Sequence, residues 1–310
     1  MKKKNKKKLI ILVLLVTLLL TTGCTKTLTD KNKKAVVNKV TGQNLTENIL
    51  CKPTDKETIK QYKDSGVKID KLPECQDFKV NSGKYEDLWT ALLVKPLAFL
   101  ILKIGTFTKN YALALIILTI LIRLICYPFT RKTAMQSENM KKANPEIQRI
   151  QKKYEGRKDE DAMMKQSQEM MMVYKKYNIN PTSGCIFAFL QLPLFIAFYE
   201  AVQRFPVIFE DSFLGMQLGT TPSIGLTSKF FFMYLILMLL IGLTTYMSFK
   251  MNSSGNDLDP SMKHMPVYMT AMIIITALFM PSALCIYWLT NNLCTMLQNY
   301  IVKKEVSKNK

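Results

Sequence analysis

Histidine is almost absent from this chain: its one copy, His264, lies in a polar connector. The sequence also lacks a cluster of Cys, His and acidic residues at metal-ligand spacing, a glycine-rich phosphate loop, and a nucleophile accompanied by a base and an orienting group. It therefore gives catalysis no foundation and calls for no cofactor. Acidic residues are scarce, 23 against 43 lysines and arginines, for a net charge of +20. Such an excess could serve nucleic acid, but the lysines cluster beside hydrophobic segments, where they set orientation in a membrane. The chain has no inverted repeat and no pair of broken apolar helices, which argues against a small transporter or channel.

Apolar residues make up 48% of the chain and are gathered in blocks rather than spaced along amphipathic faces. That pattern indicates an all-α polytopic membrane protein. The mean hydropathy of +0.06 is then an average over two unlike parts. The block at 111–129, YALALIILTILIRLICYPF, carries one charge, Arg123. With its lead-in it reaches the roughly 20 residues that cross about 30 Å of hydrocarbon. An arginine there costs about 2.5–3.5 kcal/mol at a helix centre and normally faces protein or water. Two readings stand: a functional cation in a wet cavity, or a side chain snorkelling toward the interface past Pro128.

The first 23 residues form an export signal, with six lysines, the 12-residue apolar core 9–20 and small residues before Cys24. Gly23-Cys24 resembles a lipoprotein cleavage site, so Cys24 is the expected site of lipidation by an acyl chain such as palmitate. Thr21 departs from that motif, and an uncleaved anchor is the alternative. Residues 24–84 are polar and lysine-rich, and are expected to be an extracytoplasmic, lipid-anchored tether with little core of its own. Cys51 and Cys75 lie within it, either as two free thiols or as a disulfide, which an exported compartment permits. Residues 85–105, with Trp89, Lys95 and Lys103 among apolar residues, suit a helix lying in the interface.

Residues 106–129 are the first span, and 130–180 form a polar helical hairpin. In its first arm Asn144 can cap, Pro145 fits the first helical position, and Ile147, Ile150 and Tyr154 share a face. Gly156 ends that arm. The second arm, 161–178, repeats Met164, Met171 and Tyr174 at helical spacing, and Asn180-Pro181 stops it. Met163, Met164, Met170, Met171 and Met172 are more than one face can bury, which leaves some as an adaptable contact surface. Twelve basic residues against seven acidic from Arg131 to Lys176 place the hairpin in the cytoplasm.

Spans two to five occupy 181–302, as 185–203, 229–249, 266–280 and 283–302. Residues 206–228 are outside, and the basic tail 303–310 is in the cytoplasm. Five mature spans satisfy the charge bias at every connection. Gln191 and Glu200, Thr244 and Thr245, then Trp288, Asn291, Asn292 and Gln298 exceed what helix pairing requires. They suit a hydrophilic cavity or, residue by residue, ordinary bonds between helices for Gln191, Asn291 and Asn292 and the outer interface for Glu200.

Four stretches taken in order, NYALALIILTILIRLICYP, NPEIQRIQKKY, YKKYNINPTSGCIFAFLQLPLFIAFYEA and PSALCIYWLTNNLCTMLQ, resemble the YidC/Oxa1/Alb3 membrane-protein insertases. The lipoprotein-like start and five mature spans resemble the Gram-positive form. The resemblance implies a hydrophilic groove open to the cytoplasm and to lipid, with Arg123, Gln191 and Trp288 as its family residues and Thr244 and Asn291 beside them. It implies a bacterial cell-membrane protein that inserts and helps fold nascent membrane proteins, with or without a Sec translocon. The ribosome and the lipid bilayer are its other partners. A structural assembly factor that chaperones without inserting is a further reading. The cysteine-bearing segment 25–84 departs from the family pattern.

Overall fold

The computed structural model describes residues 25–157, 159–180, 183–252 and 264–308, the side chains of 183–190 apart. The expected signal, its Cys24, and most of the connector before His264 lie outside the described residues. The chain is mainly helical, with α1 Lys56–Asp64, α2 Lys95–Thr108, α3 Tyr111–Lys153, α4 Glu160–Lys176, α5 Ser183–Arg204, α6 Pro206–Glu210, strands β1 Ser212–Phe213 and β2 Met216–Gln217, α7 Pro222–Gly225, α8 Phe231–Asn252, α9 Met265–Leu278 and α10 Ser282–Lys308. It divides into two compact units, the first holding the described residues up to Leu118 with Gln191–Ile236 and Ala277–Tyr287, the second holding the rest. By length and composition Thr90–Thr108, α3 and α8 can each cross a membrane, whereas α9 has 14 residues.

In the first unit, residues 25–84 are not the coreless tether that their composition suggests. Leu28, Leu45, Ile49, Tyr62 and Ile69 form a buried cluster completed by Phe209 from α6. The reason is non-local: Phe209 and Phe205, whose ring meets Phe78 edge-on at 4.7 Å, lie far along the chain, so a local count of apolar residues omits them. Short antiparallel bridges pair Thr27 with Thr46 and Val37 with Asn44. Gly42, at φ +71°, turns this hairpin against Ile224, where a Cβ would stand 2.4 Å from the isoleucine side chain. Asp55 caps α1 by accepting from the Thr58 amide at 2.8 Å. Cys51 and Cys75 are joined as a disulfide, their Cα atoms 4.9 Å apart.

This segment is bound to the end of α5. Arg204, fully buried, donates to both Glu86 carboxylate oxygens at 2.6 and 2.7 Å, to the Asn48 carbonyl at 2.8 Å and to the Thr90 hydroxyl at 3.2 Å. A buried guanidinium is tolerable because its donors are satisfied in this way. Beside it, Gln43 donates to the Gln203 side chain at 3.1 Å and the Thr46 hydroxyl to the Gln203 carbonyl at 2.7 Å. Both ends of the 90–108 helix meet residues 200–212. Trp89 donates to Glu200 at 2.9 Å at the start, while the Tyr111 amide donates to Asp211 at 2.7 Å and the Asn110 amide group to the Ser212 carbonyl at 3.1 Å just past the end. Lys95 is buried, its ammonium 2.7 Å from the Ser82 carbonyl.

In the second unit α3 runs unbroken through Pro128 and Pro145 to Lys153, so the expected separate arm capped by Asn144 is a correction. Asn144 Oδ1 finds no hydrogen-bond donor among the described residues, which fits a position inside a helix. A proline there forfeits one backbone bond; burial of Ala143 and Ile147 on either side helps to offset that loss. Gly156, at φ +79°, ends the helix region, and Asp159 caps α4. Lys153 meets Glu169 at 2.6 Å and Lys176 meets Glu146. One index rises by seven as the other falls by seven, so α3 and α4 are antiparallel arms. Their core is Ala143, Ile147, Val173 and Ile179, with Ile150, Met170 and Tyr174 against it. Of the five methionines, Met170 packs against this core while Met163, Met164, Met171 and Met172 are exposed.

Candidate functional site

Arg123 lies 12 residues into α3, about 18 Å along the axis, and Asn291 lies nine residues into α10, about 14 Å along it. Both belong to the second unit. The guanidinium donates from Nε to Asn291 Oδ1 at 2.7 Å, and a terminal nitrogen donates to the same oxygen. Arg123 is partly buried, while the next two residues, Leu124 and Ile125, are 64% and 74% exposed. The apolar neighbours thus take the open side of α3, and the arginine is turned onto α10 rather than toward Pro128.

One residue on, about 100° round α10, the Asn292 amide donates to Thr245 at 2.8 Å and to Thr244 at 3.4 Å, both on α8. The Thr244 hydroxyl itself donates to the Leu240 carbonyl at 2.7 Å, an ordinary way for a helix to satisfy a hydroxyl. The arrangement repeats seven residues on: Thr130 of α3 donates to Gln298 at 2.9 Å, and Asn299 donates to Asn252 of α8 at 2.9 Å. The two α3–α10 contacts share one offset, 168 residues, and the Asn292–Thr245 and Asn299–Asn252 contacts share another, 47. Constant offsets mean that α3, α8 and α10 run parallel. A further contact, Arg131 to Glu305 at 2.7 Å, continues the α3-facing row of α10.

Of the five residues expected at a groove, Arg123 and Asn291 are in direct contact, and Thr244 joins them through Asn292, the neighbour of Asn291. Trp288 is partly buried in the same unit. Gln191 belongs to the first unit, where its amide donates to the Tyr287 hydroxyl at 3.1 Å and Tyr287 stacks on Phe198 at 4.4 Å. Glu200 is buried against Trp89 rather than exposed at an interface. Sequence reasoning missed Thr130, Asn252, Asn299 and Glu305. The seven-residue recurrence of polar residues at 291, 298 and 305, and at 292 and 299, is the signal that would have found the α10 members.

A family model described as 60Kd inner membrane protein matches residues 103–309. The chain is similar to a membrane protein insertase YidC of Oceanobacillus iheyensis, 34% identical over 233 residues that cover 73% of this chain and 87% of that one. It is 35% identical to the membrane protein insertase MisCA of Bacillus subtilis over 224 residues, 71% of this chain and 82% of the relative. A crystal structure of an active YidC insertase shares its fold at a TM-score of 0.52 and 23% identity, over 80% of this chain and 53% of that one. With two thirds of its length matched by the family model and the polar residues of its helices placed, this chain belongs to the 60Kd inner membrane protein family, that of the YidC-type membrane protein insertases.

Proposed function

We propose that this chain is a bacterial membrane protein insertase and chaperone, working through a cationic hydrophilic groove formed with Arg123, Thr244, Trp288 and Asn291. The observation that carries the groove reading is a guanidinium in the apolar first part of α3, held by a side chain of another helix. The mechanism needs no nucleotide. In a low-dielectric surround a cation attracts the acidic extracytoplasmic tail of a substrate more strongly than water would allow. The groove also shortens the apolar distance that tail must cross. Transfer of the substrate's span into lipid then drives release, each central apolar residue contributing roughly 0.3–0.6 kcal/mol.

The topology proposed with it has five mature spans, a hairpin 130–180 and a tail 303–310 in the cytoplasm, and residues 25–84 and 206–228 outside. Parallel α3, α8 and α10 support it, because the first, third and fifth spans must run the same way. Anchorage of both ends of the 90–108 helix on residues 200–212 supports an interfacial placement, although its length alone would permit crossing. Cleavage after residue 23, lipidation of Cys24 and an oxidised Cys51–Cys75 pair belong to the same reading. The ribosome is a cytoplasmic partner, and insertion proceeds with or without a Sec translocon.

Proteoliposomes containing only this protein and a single-span substrate test the groove. Insertion per folded molecule of a substrate with an acidic N-terminal tail should fall at least about tenfold for Arg123→Ala, the size of a lost charged hydrogen bond. Arg123→Lys should retain part of it, since lysine keeps the charge but is more strongly hydrated. Equal insertion by the wild-type and alanine proteins would defeat the groove mechanism.

A further inference from the structure

We infer that Asn291 is a positioning residue that holds the Arg123 guanidinium against α10 without cancelling its charge; the inference rests on the groove reading of Arg123. Among the described residues, Arg123, Arg131 and Arg204 are held by side chains of distant segments, and the chemistry of the holder differs. Arg204 lies on the Glu86 carboxylate and Arg131 on that of Glu305. Arg123 donates twice to the amide oxygen of Asn291. A carboxylate would bind the guanidinium more strongly, through charge-assisted bonds, and would form a neutral pair with it. An amide oxygen accepts two N–H donors and carries no charge. The cation is fixed in place, and Asn291 leaves its field available to an incoming anion.

A holder must itself be fixed. Asn292, 100° further round α10, is bonded to Thr244 and Thr245 of α8, so α10 is held against rotation from two sides. Gln298 and Asn299 repeat this pair two turns on, with Thr130 and Asn252 as partners. Two adjacent polar residues, given twice at a spacing of seven, set the register at which Asn291 faces Arg123. Without that acceptor the arginine loses the two bonds that turn it onto α10.

The test uses the full chain in proteoliposomes, with insertion measured per folded molecule for the wild type, Asn291→Ala, Asn291→Asp, Asn291→Gln and Arg123→Ala. Single-span substrates carry acidic or neutral tails. Asn291→Asp should be the more damaging change for acidic tails, roughly tenfold or more, because it keeps the arginine in place but neutralises it. Asn291→Ala should lose less, Asn291→Gln should recover part of the alanine loss, and neutral tails should suffer less in every variant. A merely structural bond predicts the reverse order, with aspartate better than alanine for all substrates; that result would overturn the inference. Wild-type insertion by both Asn291→Ala and Asn291→Asp, with Arg123→Ala inactive, would also overturn it and leave the groove standing. Normal insertion of acidic tails by Arg123→Ala would remove the groove reading and the inference together.

Discussion

The helices of the first unit are fastened by a segment that is not itself part of the helical set. Residues 25–84 bring a disulfide, an apolar cluster around Tyr62 and a chain reversal at Gly42, and close on the end of α5, where Arg204 ties them to Glu86. In the second unit the long helices are fastened from within, by amide side chains that α10 presents to α3 on one side and α8 on the other. The first device is strong, non-local and closed to solvent. The second is a set of individually weak bonds, each averaging only about 0.6 kcal/mol between membrane helices. Its value lies in what Asn291 contributes: a neutral acceptor for a cation, in helices that also carry exposed apolar side chains.

If the first device depends on closure of the 25–84 segment, opening the disulfide should have the largest effect. A loop of 24-residue separation restricts the unfolded chain by about 3 kcal/mol. Replacing Cys51 and Cys75 by serine should therefore lower hydrogen-exchange protection at Leu28 and Leu45 by roughly two orders of magnitude, with little change in α10. Unchanged protection at those amides would show that the apolar cluster alone holds the segment. The second device should respond more weakly. Asn292→Ala should cost about 0.6 kcal/mol and at most about 1.7 kcal/mol, read as a small fall in the thermal midpoint of the detergent-solubilised protein. A loss as large as that from opening the disulfide would break the distinction between the two units.

Much of the second unit was legible in the sequence. Gly156, the start of the second arm and the face holding Ile147 and Ile150 follow from local rules, and Arg123 announced itself as a charge in an apolar run. Two features were not legible, for different reasons. Asn144-Pro145 has the chemistry of a helix start, and whether a helix passes through it depends on packing around Ala143 and Ile147 that no local signal carries. The fold of 25–84 depends on Phe209, which reads in sequence as part of an external loop, and on Phe205 just before it. At the candidate site the residue types were visible, but the pairing was not. Spacing alone shows that Asn291 and Asn292 lie on neighbouring faces of a helix; it does not say that one face meets Arg123 and the other Thr245.

The parallel register of α3 and α10 is the measurement on which this comparison turns. In a variant without its other cysteines, Thr130→Cys combined with Gln298→Cys should form a disulfide in native membranes on mild oxidation, while Thr130→Cys with Asn291→Cys, two turns out of register at about 10 Å, should not. Efficient coupling of 130 with 291, or failure of 130 with 298 under conditions that oxidise a control pair, would contradict the register and the contact between Arg123 and Asn291 that it sets.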